Sequence, residues 1–347
     1  MNQPIKRRDL LKLAAFSLAG LAFRPFGGLN QDFSTGNVGR VAINSVSVYS
    51  QPDDKSQIIC QRYRDELVNI YYDVISPFGP GYNPLWFRVW RGYIHSAHIQ
   101  KVGYRLNSPV TSLPKSNLLL AEVTVPYTQA YTHPSANTWT PVYRLYYESQ
   151  HWIVDLIPGP DGSPWYLLKD ELLGVRYAVE ASHLRVVQAD EITPVSPDVP
   201  PDKKRIEVSI ALQTLVAYEY DQPIFKTKVS TGMPSLDKAA FAIPTDTPTG
   251  TFHIQSKMPS KHMGDGNLTA DLNAYELPGV PWVSFFEPKS GVAFHGTYWH
   301  DNFGMTMSHG CVNMRTNEAR WIYRWSTPTA AVTDWENRGY GTLVVVS

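Results

Sequence analysis

The stretch Phe294–Met314, FHGTYWHDNFGMTMSHGCVNM, decides how this chain is read. It holds His295, His300, His309 and Cys311, in a chain with ten histidines and only two cysteines. Three chemistries compete for such a cluster: a metal site, an armed nucleophile, or a loop with no chemistry. Zinc accepts a set of histidines with one cysteine, but His-x-Cys is not a usual ligand spacing and no second cysteine is near. Asp301 would serve equally as a ligand or as a turn residue. A cysteine becomes a nucleophile when a histidine takes its proton and a third group fixes the histidine's tautomer. A tetrahedral intermediate then needs backbone N–H donors, and Gly310 lets the main chain bend to present them. His309 is two residues from Cys311 and shares its side of an extended loop. His295 ends an apolar run, Val292 to Phe294, and the connection Gly296 to Met307 is long enough to bring Cys311 back beside it. His300 reads as a surface-loop residue, with a supporting role behind the site as the runner-up.

Working outward, the residues on either side of this stretch favour strands. Ile206, Val208, Ile210 and Leu212 alternate with polar or small neighbours, the period of a half-buried strand. Thr214–Tyr220, Ile224–Val229, Thr251–Ile254, Val283–Phe286 and Leu343–Val346 read as further strands. One helix is expected after Asn313, with Asn317 as its cap and Ala319, Ile322 and Tyr323 as its buried face. Gln255 to Pro281, with Met258, Met263, Gly264, Gly266 and Tyr275, has little periodicity and reads as a long excursion of the kind that is usually functional. Ala189–Lys203, with Pro194, Pro197, Pro200 and Pro201, reads as a semi-extended linker and the main domain boundary.

Before that linker the chain repeats itself. Val48-Tyr49-Ser50-Gln51-Pro52 is echoed by Ala130-Tyr131-Thr132-His133-Pro134, and Trp86-Phe87 by Trp165-Tyr166. Tyr93-Ile94-His95-Ser96-Ala97-His98-Ile99 is echoed by Tyr177 to Leu184 at an offset of about eighty residues, the mark of a duplication. The units are placed at 38–103 and 120–188, and each suits a small barrel.

Length and composition set the outer limits. The 347 residues allow two or three domains, and 43% hydrophobic residues allow sizeable cores. The 31 basic residues balance the 31 acidic ones, so nothing electrostatic favours nucleic acid or an anionic membrane. Twenty-seven prolines and twenty tyrosines favour strands and turns over long helices. Two cysteines exclude a disulfide scaffold. Cys60 reads as a small buried hydrophobe, and a Cys60–Cys311 bridge would silence the thiol.

Three resemblances follow. His295-Gly296-Thr297, a gap, then Ser308-His309-Gly310-Cys311-Val312-Asn313 resembles the signature of the YkuD-type L,D-transpeptidases. Ser230-Thr231-Gly232, Thr247-Pro248-Thr249-Gly250, Pro281-Trp282 and Tyr298-Trp299-His300 follow in the order that family would have. The two repeats resemble bacterial Src-homology-3-like domains, and Arg7-Arg8-Asp9-Leu10-Leu11-Lys12 resembles a twin-arginine export signal within residues 1–30. The implied fold is mainly β: two small Src-homology-3-like barrels, a Pro-rich linker at 189–203, then a mostly β catalytic domain at 204–347 with one helix after the nucleophile loop.

The family resemblance implies Cys311 as nucleophile, His295 as general base, and the carbonyl of Gly296 as its orienter. It implies His309 beside the thiolate, and the amides of Gly310 and Cys311 as oxyanion donors. Asn313, Arg315, Tyr298, Trp299, Tyr275 and Met263 are the implied substrate contacts, with a surface role for Arg315 equally open. The excursion 255–281 would be a lid. The implied reaction is acyl transfer between peptidoglycan stem peptides, donor and acceptor, forming 3→3 cross-links without metal or cofactor. Hydrolysis of the same bond, or a wall-binding protein without catalysis, are the alternatives. The repeats would bind cell wall or act as spacers. The export signal implies a cell-envelope location, periplasmic or extracellular, with an uncleaved tethered form left open.

Overall fold

A computed structural model of the chain describes residues 33–116, 118–132, 138–235 and 245–347. The expected export signal and the expected His133-Pro134 turn lie outside the described residues. From Phe33 to Ser347 the chain clusters as one unit.

The first repeat forms a three-stranded and a five-stranded sheet, and the second forms one seven-stranded sheet. Their strand orders are open-ended among the described residues, so they pack around apolar cores without a closed ladder. The two units end on the same order of elements. Strand Gly92–His95, a 3-10 turn at Ser96–His98 and strand Ile99–Tyr104 are matched by Arg176–Glu180, Ala181–His183 and Leu184–Val186. In both units a glycine presses on the indole. A Cβ on Gly79 would meet Trp86 Nε1 at 2.4 Å, and one on Gly159 would meet Trp165 Nε1 at 2.0 Å. Cys60 is half-buried and free, packed against the first core.

The C-terminal segment is a sandwich of two five-stranded sheets. The first contains β1 (Lys204–Ser209), β2 (Thr214–Glu219), β3 (Gln222–Lys228) and β4 (Gly250–His253), closed in the middle by the last strand, Leu343–Val346, which runs parallel to β1. The second contains β5 (Ser256–Gly264), β6 (Glu276–Glu287), β7 (Val292–Gly296), β8 (Val312–Met314) and the short Asn337–Arg338. Helix α1 (Thr316–Trp325) buries Ala319, Ile322 and Tyr323. The core joins Ile206, Val208 and Val344 of one sheet to Phe286, Phe294 and Val312 of the other.

Three expectations are corrected. The excursion 255–281 is a hairpin: β5 and β6 pair from Ser256↔Phe285 to Gly264↔Glu276, leaving only 265–275 as loop. A register shift between Lys261 and Met263 breaks the alternation, which hid the strands from a period-based reading. The helix is capped by Arg315 with no side-chain bond, and Asn317 lies inside the first turn. Strand β1 stops at Ser209, and Leu212 is exposed in the turn that follows.

Neither the linker nor the repeats are held away from the C-terminal segment. Ile192 of the linker is buried in its core, and Val195 N–H donates to the Arg324 carbonyl of α1. Leu120 and Trp152 of the second repeat belong to that same core. Gly279 of β6 has φ +75, and a Cβ there would meet His151 at 2.3 Å and the Gln150 carbonyl at 2.5 Å. Glycine therefore both turns the strand and lets the second repeat press onto the hairpin.

Candidate active site

Strand β7 runs parallel to β8, with Phe294 opposite Val312 and His295 opposite Asn313. Opposed residues share a face and faces alternate along a strand. Phe294, Val312 and Met314 therefore point into the core. Ala293, His295 and Asn313 point the other way, and Cys311, one residue before β8, falls in beside Ala293. The pairing sets the imidazole and the thiol on one face of neighbouring strands, offset by a single pleat.

His295 is 2% exposed. Its Nδ1 lies 3.0 Å from the Gly296 carbonyl. A carbonyl only accepts, so Nδ1 carries the proton and Nε2 is the basic nitrogen. Burial holds the imidazole's pKa down to about 4, against the Gly296 bond that favours its charged form. Burial likewise pushes the Cys311 thiol up to about 11, opposed by the Ala293 backbone. At neutral pH the pair is thus imidazole and thiol. In this resting arrangement the thiol faces the Gly291 carbonyl at 3.8 Å.

The loop before Cys311 is held from within and from two sides. Ser308 Oγ–H donates to the Cys311 carbonyl, and Ser308 Oγ accepts the Gly310 N–H at 3.2 Å. Gly310 sits at φ +116. Its carbonyl accepts from Thr247 Oγ1 at 2.7 Å, and Thr247 Oγ1 accepts the Gly232 N–H at 2.8 Å. The Thr231 carbonyl accepts the N–H groups of Met307 and Ser308, and Ser230 exchanges both backbone bonds with Asn313. The short phrases around Ser230 and Thr247 thus cradle the loop that carries Cys311. In the sequence they stand out only as short motifs. Their hydroxyl-glycine composition was the signal.

The histidine cluster does not converge. His309 is exposed, with its ring 5.3 Å from that of Tyr275. His300 is buried at 4% exposure, which corrects its reading as a surface-loop residue. Its Nδ1 accepts the Asn302 N–H at 3.2 Å, so the neutral ring carries its proton on Nε2, 2.9 Å from the Asn313 carboxamide. The carboxamide atom at that distance is Nδ2, and the Asn313 oxygen is buried without a partner; exchanging the two amide atoms gives the Nε2 proton the acceptor it needs. Burial above all, with His98 next, holds the His300 pKa down to about 3.

Of the implied substrate contacts, three have partners within the fold. Asn313 is buried and faces His300. Tyr298 is buried, and its hydroxyl donates to the Pro278 carbonyl at 3.0 Å. Arg315 sits between Asp301 at 3.5 Å and Glu318 at 3.6 Å, over the Phe303 ring. Gly296 lies against Pro281 and Thr316, where a Cβ would collide, so its part is played by its carbonyl. Trp299 and Met263 pack in the small apolar cluster that includes Cys311, with Tyr275 beside His309. Trp299 also meets His295, ring to ring, at 5.8 Å. The wall around the thiol is therefore apolar.

Residues 203–346 match the YkuD family, the L,D-transpeptidase catalytic domain. The match covers less than half of the chain. Among solved structures, an L,D-transpeptidase from Mycobacterium smegmatis is 20% identical, with 73% of this chain and 92% of that chain covered and a TM-score of 0.32. An Enterococcus faecium L,D-transpeptidase is 20% identical over 42% of this chain and 50% of that one, with a TM-score of 0.31. One from Xylanimonas cellulosilytica is 21% identical over 42% and 60%, with a TM-score of 0.28. The chain thus spans half the length of the Enterococcus protein, and overlays this loose assign no role to any residue. No curated protein matches. The YkuD domain accounts for both sheets of the sandwich, its helix and the nucleophile loop.

Proposed function

We infer that the protein is a cysteine acyl transferase acting on peptidoglycan stem tetrapeptides. The observation that carries this reading is the juxtaposition of His295 and Cys311 on one face of β7 and β8, with Nδ1 tied to Gly296, inside the YkuD domain. The thiol turns from Gly291 toward Nε2 as substrate binds. Sγ attacks the carbonyl of the third stem residue while its proton passes to His295 Nε2. The oxyanion takes the Gly310 N–H, whose 3.2 Å bond to Ser308 yields to a charged acceptor. His295 returns the proton to the departing amine, D-alanine leaves, and Cys311 holds a thioester. The side-chain amine of a second stem then attacks, the thiol is restored, and a 3→3 cross-link forms. The apolar wall of Met263, Leu277 and Trp299 favours an amine acceptor by limiting water at the thioester. The export signal in residues 1–30 would carry this reaction to the envelope.

The test is incubation with disaccharide-tetrapeptide and mass spectrometry of the products. Dimer lighter by one D-alanine supports transfer, and tripeptide alone means hydrolysis. Absence of both products, or their persistence in Cys311→Ala, overturns the reading and leaves a wall-binding protein.

A further inference from the structure

A cavity of about 110 Å³ lies where both repeats meet the hairpin loop. That volume exceeds what one water needs several-fold. Arg40 and Arg64 of the first repeat and Arg144 of the second line it, with Leu277 and Trp299 on the catalytic side. Leu277 and Trp299 also pack in the cluster that holds Cys311. The cavity and the thiol are thus separated by the thickness of shared side chains.

The charges around the cavity are unevenly matched. Asp65 gives one oxygen to Arg40 at 2.8 Å and the other to Arg144 at 2.5 Å. Arg40, 2% exposed, spends its remaining donors on Gln100 and the Tyr298 carbonyl. Glu276 is turned to His262 at 2.8 Å and to the N–H groups of Gly266 and Asn267. Asp271 accepts the Asn273 N–H at 2.9 Å. Arg64 meets only neutral oxygens, those of the Leu272 carbonyl and the Asn44 carboxamide. Among the described residues no carboxylate pairs with it. The Nε of Arg144 is also buried without a partner. A guanidinium facing a cavity with unspent charge is built to receive a carboxylate, which it can grip with two parallel bonds.

We propose that this cavity is a carboxylate subsite of the active site, in which Arg64 and the Nε edge of Arg144 take an acidic group on the peptide substrate beside the scissile bond. Arg40 and Asp65 act as the frame that fixes Arg144. The inference rests on the acyl-transfer reading and gives the repeats a part in substrate choice.

Two synthetic stem tetrapeptides test it, identical except that the third residue's side chain ends in a carboxylate in one and a carboxamide in the other. The full chain is expected to favour the carboxylate form by roughly tenfold in kcat/KM, chiefly through KM. Arg64→Gln, which keeps a donor for Leu272, brings that ratio to about one, and Arg64→Lys restores part of it. Equal rates on both peptides in the wild type, or an unchanged ratio in Arg64→Gln, overturn the proposal. A merely structural Arg64 would slow both peptides alike. If Arg64→Gln fails to fold by circular dichroism, Arg144→Gln is judged by the same ratio. If neither peptide reacts, the acyl-transfer reading fails, and calorimetric binding of both peptides to Cys311→Ala decides the subsite. Tighter binding of the carboxylate form sustains it, and equal affinity ends it.

Discussion

At the scale of single residues, the site is a neutral pair and not a preformed ion pair. Burial depresses His295 to about 4 and raises Cys311 to about 11. Alkylation of Cys311 by iodoacetamide, followed by intact mass in a Cys60→Ser background, should therefore be slow at pH 7 and keep rising toward pH 11. A rate that is flat from pH 5 to 9 would show a standing thiolate-imidazolium pair. The candidate pair was legible because Ser-His-Gly-Cys and a distant histidine are a sequence pattern. The partner of His300 was not legible, since its burial depends on where Asn302 and Asn313 fold around it. His300→Phe should cost about 1–3 kcal/mol in urea unfolding, because it strands the Asn302 N–H and the Asn313 carboxamide in a dry site. A cost below about 0.5 kcal/mol would return His300 to the surface.

At the scale of elements, the β5–β6 hairpin joins the candidate site to the second repeat. His262, 2% exposed on β5, has Asp170 at 2.7 Å on Nδ1 and Glu276 at 2.8 Å on Nε2. Lys261 pairs with Glu171 at 2.8 Å, and Ser260 Oγ–H donates to the Gln150 carbonyl at 2.6 Å. The second repeat thereby fastens three consecutive residues of the hairpin. His262→Gln leaves Asp170 and Glu276 buried and facing each other without a cation. The loss should be about 3–5 kcal/mol, read as a shift of the urea midpoint. Adding Asp170→Asn to that variant should recover part of it, and no recovery would deny the pairing its role. None of this was visible beforehand, because a bulged strand loses its alternation and charge pairing across about ninety residues leaves no local trace.

At the scale of the molecule, the YkuD domain shares its core with the second repeat. Residues 203–347 alone would expose the surface that Leu120, Trp152 and Ile192 cover. That fragment should lose near-ultraviolet dichroism and a cooperative melt, whereas 33–347 keeps both. Acid should act on the whole fold as well. His151, His295 and His300 are held neutral by burial, at about 3, 4 and 3. Below their ordinary value of 6.5 the unfolded chain takes up protons that the folded chain refuses. Stability present at pH 7 is therefore lost as pH falls from about 6.5 toward 4, by up to about 1.4 kcal/mol per pH unit for each histidine. His262, raised by Asp170 and Glu276 against its burial, has the opposite sign: its contribution is full below 6.5 and fades as pH rises through its raised value. Urea midpoints at pH 7, 6 and 5 should fall in that order, and a flat series would contradict the buried neutral histidines. The sequence by itself determined the strand-rich class, the duplication and the nucleophile pattern, because period, turn residues and short motifs are local. Tertiary contacts alone put His300 in the interior, made the excursion a hairpin, and fastened the second repeat to that hairpin. Those facts depend on which distant surfaces are removed from water together, and no stretch of chain records that alone.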